Sequence, residues 1–483
     1  MEGLKEKYIK YREGLLFFLV FIIFMYWLWG KGSQMVSTGD AEDIWRTITT
    51  FYSEERYASY VLYKGFASVY PYVWLYQAAV WLKLNELFFV MVYHALLFTF
   101  VTVVGIPKVI SQLLKYEAKY YQRVLLPVIL FVIWRPTRAL DTVMVDLPSC
   151  SGFIAAVCCA LKVKEEQGTK KLVWTAAGGL LCGFVANISG QYTIAACLVM
   201  IYVIVVLIGE YRHNDKKGII ICGLLLTLFL CTGVKMVNGI FDKKVTEPFR
   251  EQGIVMSDGA WWRNRALVCM MDRGRPGITI KRGAAILENI YGEEAGKDML
   301  QKAVLGDASA FWTPQEYLLQ VRRYPIDFML QYIDRMFLAV SHDLGKQSAA
   351  FLSFGYILLW MFIVTAVRHY HNIRDLFSRE TWFILAFFSS MIAPLVMTVE
   401  MRYALSFHAI VYGIALLGPL LPDTGRNIRE GIKIVQRNGI VRGMEFKIPW
   451  GIIGGVLFVC ICLSYMSAIY AQSDLGINML YCH

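Results

Sequence analysis

From Gly14 to Gly30 the chain reads GLLFFLVFIIFMYWLWG, without one charged side chain. A helix needs about 17–25 mostly apolar residues to cross the hydrocarbon of a bilayer. Comparable runs recur at about 86–106, 122–134, 149–162, 172–188, 191–208, 218–237, 351–367, 381–398, 403–421 and 450–468. The third and fourth are short. These runs are continuous rather than alternating, so each reads as a helix whose backbone groups are satisfied internally. The expected fold class is an all-α polytopic membrane protein with about eleven transmembrane helices. Of 483 residues, 57% are hydrophobic and 18% are charged, too little charge to cover a soluble surface.

The formal charge of +11 is spread over short loops and forms no contiguous basic face, so no nucleic-acid partner is expected. Basic stretches at the N-terminus, 108–123, 162–171, 210–217, 368–380 and 426–447 all fall on one side if the chain starts in the cytoplasm. That agreement follows the positive-inside rule and sends the C-terminal tail outside. The abundant Lys, Ile and Tyr and the basic inner loops suit a bacterial plasma membrane. The first run lacks a small-residue cleavage site and reads as an uncleaved first span. Most of the 11 cysteines lie inside apolar runs and act as small hydrophobes, and no CxxC or Cys/His spacing suggests zinc.

Three parts are expected: a seven-span module at 1–237, an extracytoplasmic subdomain at 238–350, and four further spans at 351–483. The first outside loop, 31–85, is rich in aromatic residues, among them Trp45, Tyr70, Tyr72, Trp74 and Tyr76. Aromatic rings prefer the membrane interface, so helices lying in that plane are expected here, one of them over 71–83. Helical patterns appear at 283–304 and 314–340 in the long loop. Thr313, Pro314 and Glu316 form a helix-start signature there.

Carboxylates and guanidinium groups gather in the segments assigned to the outside. Asp40, in STGD after the first span, is a candidate general base or metal ligand; its other reading is a cap on the helix that follows. Asp43 lies three residues on. RPTRALDTVMVD (135–146) carries Arg135, Arg138, Asp141 and Asp146 around a proline break. Its arginines can clamp a lipid phosphate, or simply snorkel. Polar groups at that depth need partners. EMRY (400–403) holds Glu400 and Arg402 in a tight turn, as a phosphate clamp or as an ion pair locking the hairpin. Lys64 is a further candidate phosphate contact. His94 lies within a span, where an ionisable group is a functional hint. No Walker motif or GxGxxG is present, so no soluble nucleotide site is expected.

This outline resembles the GT-C superfamily of membrane glycosyltransferases, which includes oligosaccharyltransferases, protein mannosyltransferases and aminoarabinose transferases. Asp40 stands at that family's acidic position after span one, 41–85 at its interfacial helices, and 238–350 at its loop after span seven. MRYAL, at the start of the tenth span, looks like the Arg-Tyr of many bacterial members. The resemblance implies a polyprenyl-phosphate-linked sugar donor in the membrane and a glycan, lipid or protein acceptor outside. Asp40 would serve as general base or acceptor-positioning carboxylate. Arg402, Arg135, Arg138 and Lys64 would bind the donor phosphate, with Asp43, Asp141, Asp146 and Glu400 as acidic partners. DTVMVD departs from the compact acidic pairs of some members, which leaves a divalent cation open. Two alternatives stand beside this reading: an O-antigen polymerase or ligase leaning on His342, and a lipid-linked-sugar flippase without chemistry.

Overall fold

A computed structural model describes residues 2–37, 40–53, 66–211, parts of 221–247, 287–298, 314–341, 349–369, 381–397, 401–420 and 450–473. All regular elements among them are helices. Five are long and apolar enough to cross a membrane: Tyr11–Trp29, Phe88–Leu114, Asp146–Glu165, Gly168–Ile188 and Gly190–Gly209. Four shorter apolar helices, Tyr120–Trp134, Phe354–His369, Arg402–Leu417 and Ile453–Tyr465, fall on further expected spans. This is the pattern of a polytopic membrane protein. Most of 218–237, the N-cap at Thr313, and the segment holding His342 lie outside the described residues.

Two spans differ from expectation. The second runs on to Leu114, through a wide-turn segment at Phe100–Gly105, where a loop was expected from residue 108. Val109, Ile110, Leu113 and Leu114 form a buried face that continues the helix past Lys108. Lys115 then ends it in the left-handed region, at φ 48°. The expected 381–398 span is broken into Thr381–Ser389 and Ile392–Met397. Pro394 explains the break. It lacks an N–H, and its ring would collide with the carbonyl of Ser390 in a continuous helix.

The described chain divides into two compact units. The first comprises 1–256, 372–391 and 405–410. Its centre is Asp146–Glu165, with 78% of its apolar window buried, against 17% for Tyr11–Trp29. Small residues let its neighbours close in. A Cβ added at Gly105 would meet Ile154 Cγ2 at 2.6 Å, and one at Gly152 would meet Val185 Cγ2 at 2.7 Å. Such close approach is how helices associate where lipid offers no hydrophobic driving force. The first span packs through Leu16, Phe24 and Leu28, and Phe24 stacks on Phe98 at 4.4 Å. Leu15, Phe18, Leu19, Ile22 and Ile23 are left exposed on its other side, as a lipid-facing stripe. Trp382 Nε1 donates to the Leu198 carbonyl at 2.8 Å, which ties Thr381–Ser389 to Thr193–Tyr211.

The second unit comprises 257–371, 392–404 and 411–483. Gly454 and Gly455 lie against Trp360, where an added Cβ would come within 2.9 Å of the indole. Phe337 and Tyr465 pack at 4.6 Å, and the Tyr412 hydroxyl donates to the Val340 carbonyl at 3.4 Å. Arg335 is fully buried and donates to the Leu395 carbonyl.

Candidate functional site

The first span ends at Trp29, and the chain turns at Gly32, whose φ of 48° favours a residue without a Cβ. A tight 3₁₀ turn, Gly32–Val36, buries Met35 completely. The helix Asp40–Thr49 follows, with Asp40 as its first residue. It is amphipathic. Ala41, Ile44 and Ile48 are buried, while Glu42 and Asp43 are exposed. The Asp40 side chain lies outside the described residues. Phe66–Trp81, a helix with Pro71 inside it, carries Trp74 and Trp81 on an exposed face and Val69, Tyr72 and Val73 on a buried one.

After Trp134 the helix gives way to a 3₁₀ turn, Arg135–Thr137, and Arg138 takes a left-handed φ of 58°. Few non-glycine residues do so. Local side chains hold the turn. Thr137 Oγ1 donates to the Trp134 carbonyl at 2.6 Å and accepts from the Ala139 N–H at 3.2 Å; Thr142 Oγ1 donates to the Arg138 carbonyl. From Ala139 to Asp146 every residue is buried. This is irregular backbone inside a greasy protein. Its N–H and C=O groups must find partners, because water does not reach them.

Three other elements supply those partners. The Val143 N–H donates to the Met35 carbonyl at 2.9 Å, which joins the segment to the exit of the first span. Lys31 Nζ lies 3.0 Å from Asp141 Oδ2, with the side chains 26% and 11% exposed. The same ammonium stands 5.3 Å from the Trp27 ring centroid. From the second span, His94 Nδ1 faces the Leu140 carbonyl at 3.2 Å. From Phe66–Trp81, the Tyr72 hydroxyl donates to the Met144 carbonyl at 2.6 Å and lies 2.9 Å from His94 Nε2.

The candidate residues therefore divide. Asp141 and Asp146 are buried where the first span ends, and Asp141 Oδ1 has no hydrogen-bond partner among the described residues. That oxygen remains an open acceptor beside an ammonium. Asp146 opens the central helix, where a carboxylate is favoured by the N-terminal dipole, near Cys150 and Tyr192. The Tyr192 hydroxyl is hydrogen-bonded to Ser406, whose own hydroxyl is 2.7 Å from that of Ser390. Arg135 and Arg138 are exposed. Arg402 belongs to the second unit, half-buried, with Nη2 donating to the Tyr403 hydroxyl at 3.3 Å. Lys64 and Glu400 lie outside the described residues. Among the described residues no group of three or more His, Cys, Asp or Glu side chains is placed to hold a metal ion. Sequence reasoning flagged His94 only as an ionisable group in a span. It took Tyr72 for one interfacial aromatic among many and passed over Lys31, although a lysine directly after WLWG is a legible signal of a charge at a helix end.

No family model matches the chain, and no curated protein matches it. Among solved structures, the archaeal oligosaccharyltransferase AglB from Archaeoglobus fulgidus, in complex with an inhibitory peptide and a dolichol-phosphate, aligns over 97% of this chain at 13% identity and a TM-score of 0.41. The chain spans 56% of that protein's length.

Proposed function

We propose that the protein is a membrane glycosyltransferase of GT-C type. It would pass a sugar from a polyprenyl-phosphate-linked donor to an acceptor outside the plasma membrane. One observation carries this reading: the exit of the first span is fastened to the acidic segment 139–146, through Met35–Val143 and Lys31–Asp141. Asp40 begins its helix five residues after Met35, and that short separation in the chain supports the reading. A carboxylate and a lipid-linked donor brought together at a membrane exit gain from proximity and from general base catalysis.

In this mechanism Asp40 takes the proton from an acceptor hydroxyl or amide as its oxygen or nitrogen bonds to the anomeric carbon. The bond from that carbon to the phosphate oxygen breaks, and the electron pair leaves on polyprenyl phosphate. Arg402, Arg135, Arg138 and Lys64 would balance the charge of the departing phosphate. Asp43, Asp141, Asp146 and Glu400 would be the acidic partners of Asp40, with Asp141 already facing the Lys31 ammonium. The 238–350 segment would shape the acceptor side.

The test is transfer in reconstituted vesicles from a synthetic polyprenyl-phosphate-linked radiolabelled sugar. Asp40→Asn should abolish transfer while expression and elution remain as in wild type. Full transfer by that variant would end the assignment. His342→Ala, run beside it, should leave transfer intact; its loss with Asp40→Asn active would favour the polymerase or ligase alternative.

A further inference from the structure

We infer that His94 and Tyr72 are positioning residues that clamp the backbone on either side of Asp141 and set where Asp141 and Asp146 stand. This rests on the proposed transferase reading for its catalytic consequence, though not for its geometry.

Both side chains are buried, at 0% and 1% exposure. A phenol and an imidazole are costly to bury unless their polar atoms are engaged. Theirs are spent on the carbonyls of Leu140 and Met144. Leu140 immediately precedes Asp141, and Met144 is two residues before Asp146. A neutral ring carrying its proton on Nδ1 donates to the Leu140 carbonyl and leaves Nε2 an acceptor, so the single Tyr72 O–H proton is shared between the Met144 carbonyl and Nε2 and links the two. Here two different helices each extend one polar side chain to the same irregular strip.

No helix covers the strip between Ala139 and Val145, so its course depends on the contacts that other elements make with it. Lys31 and Met35 hold it from one direction. His94 and Tyr72 hold it from another. Removing the second pair should let the strip shift while the Asp141 charge remains. A carboxylate moved by about 1 Å is enough to lower a transfer rate roughly a hundredfold.

The experiment uses the full chain in detergent and compares wild type with Tyr72→Phe, which keeps the ring, and with His94→Asn, whose amide can still reach Leu140. His94→Leu removes both imidazole contacts. Hydrogen–deuterium exchange is followed on a peptide covering 138–147 and on a control peptide from 168–188. Transfer from the synthetic donor is measured in parallel.

The expected result is exchange in 138–147 at least tenfold faster in Tyr72→Phe and His94→Leu, with the control peptide unchanged. kcat should fall tenfold or more while the donor KM stays within threefold, and His94→Asn should recover part of the loss. Unchanged exchange in 138–147 would overturn the clamp. Exchange rising equally in both peptides, or faster exchange with an unaltered kcat, would overturn the positioning role. If wild type itself fails to transfer, the transferase reading is what fails, and the clamp is decided by the exchange arm alone.

Discussion

The Lys31–Asp141 contact tests whether the first span is fastened where the structure has it. At 3.0 Å the Coulomb attraction is about 5.5 kcal/mol with an effective dielectric of 20. Desolvation of both charges opposes this. The pair is neither a surface bridge, worth about 0–1 kcal/mol, nor fully enclosed, since the lysine is 26% exposed. A coupling near 2 kcal/mol follows from standing between those limits. The perturbation is a double-mutant cycle of Lys31→Met and Asp141→Asn, with unfolding free energy read by titrating sodium dodecyl sulfate into mixed micelles. Each single change should cost about 2–3 kcal/mol, because each leaves a buried polar partner unmatched. The double variant should cost about 2 kcal/mol less than their sum. A coupling under about 0.5 kcal/mol would mean that Lys31 and Asp141 do not meet, and the junction on which the proposed function rests would be gone.

Arg138→Gly should raise stability by about 1 kcal/mol in the same titration, because glycine adopts the left-handed backbone without the side-chain penalty. If its guanidinium serves the donor phosphate, transfer should nevertheless fall about tenfold, equal to about 1.4 kcal/mol. Gly105→Ala should destabilise by about 1–3 kcal/mol, since the new methyl meets Ile154 at 2.6 Å, and the same change should cost less in an Ile154→Ala background, where the clash is gone. Trp382→Phe should cost about 1 kcal/mol by losing the hydrogen bond to Leu198, while aromatic packing is kept.

The spans were the most legible part of the sequence, because a bilayer demands long apolar runs and few other settings do. Tyr11–Trp29 and Gly168–Ile188 lie within a few residues of the runs that announced them. The second span outran its apolar run because a helix can carry Lys108 and Gln112 on its polar side while the buried stripe continues; length alone missed what periodicity would have kept. Pro394 was visible, and its effect on the carbonyl four residues back was the available signal for the broken helix. The candidate site was legible as a list of charges and not as an arrangement. Asp141 and Lys31 are 110 positions apart in the chain, and nothing local couples them. The carbonyls that His94 and Tyr72 reach belong to main chain, which carries no residue-type signal at all.

The wide turn at Phe100–Gly105 has a consequence for how the second span can vary. A turn closed by i→i+5 bonds holds one residue more than its neighbours, which rephases everything beyond it by roughly 100°. The half bearing His94 and the half bearing Val109, Ile110 and Leu113 are thus aimed independently, like two keys cut on one blank. Loss of a single residue at this point would close the wide turn to an ordinary α turn and leave both halves facing as before, so a deletion that is ruinous elsewhere in a membrane helix has here a place to be absorbed.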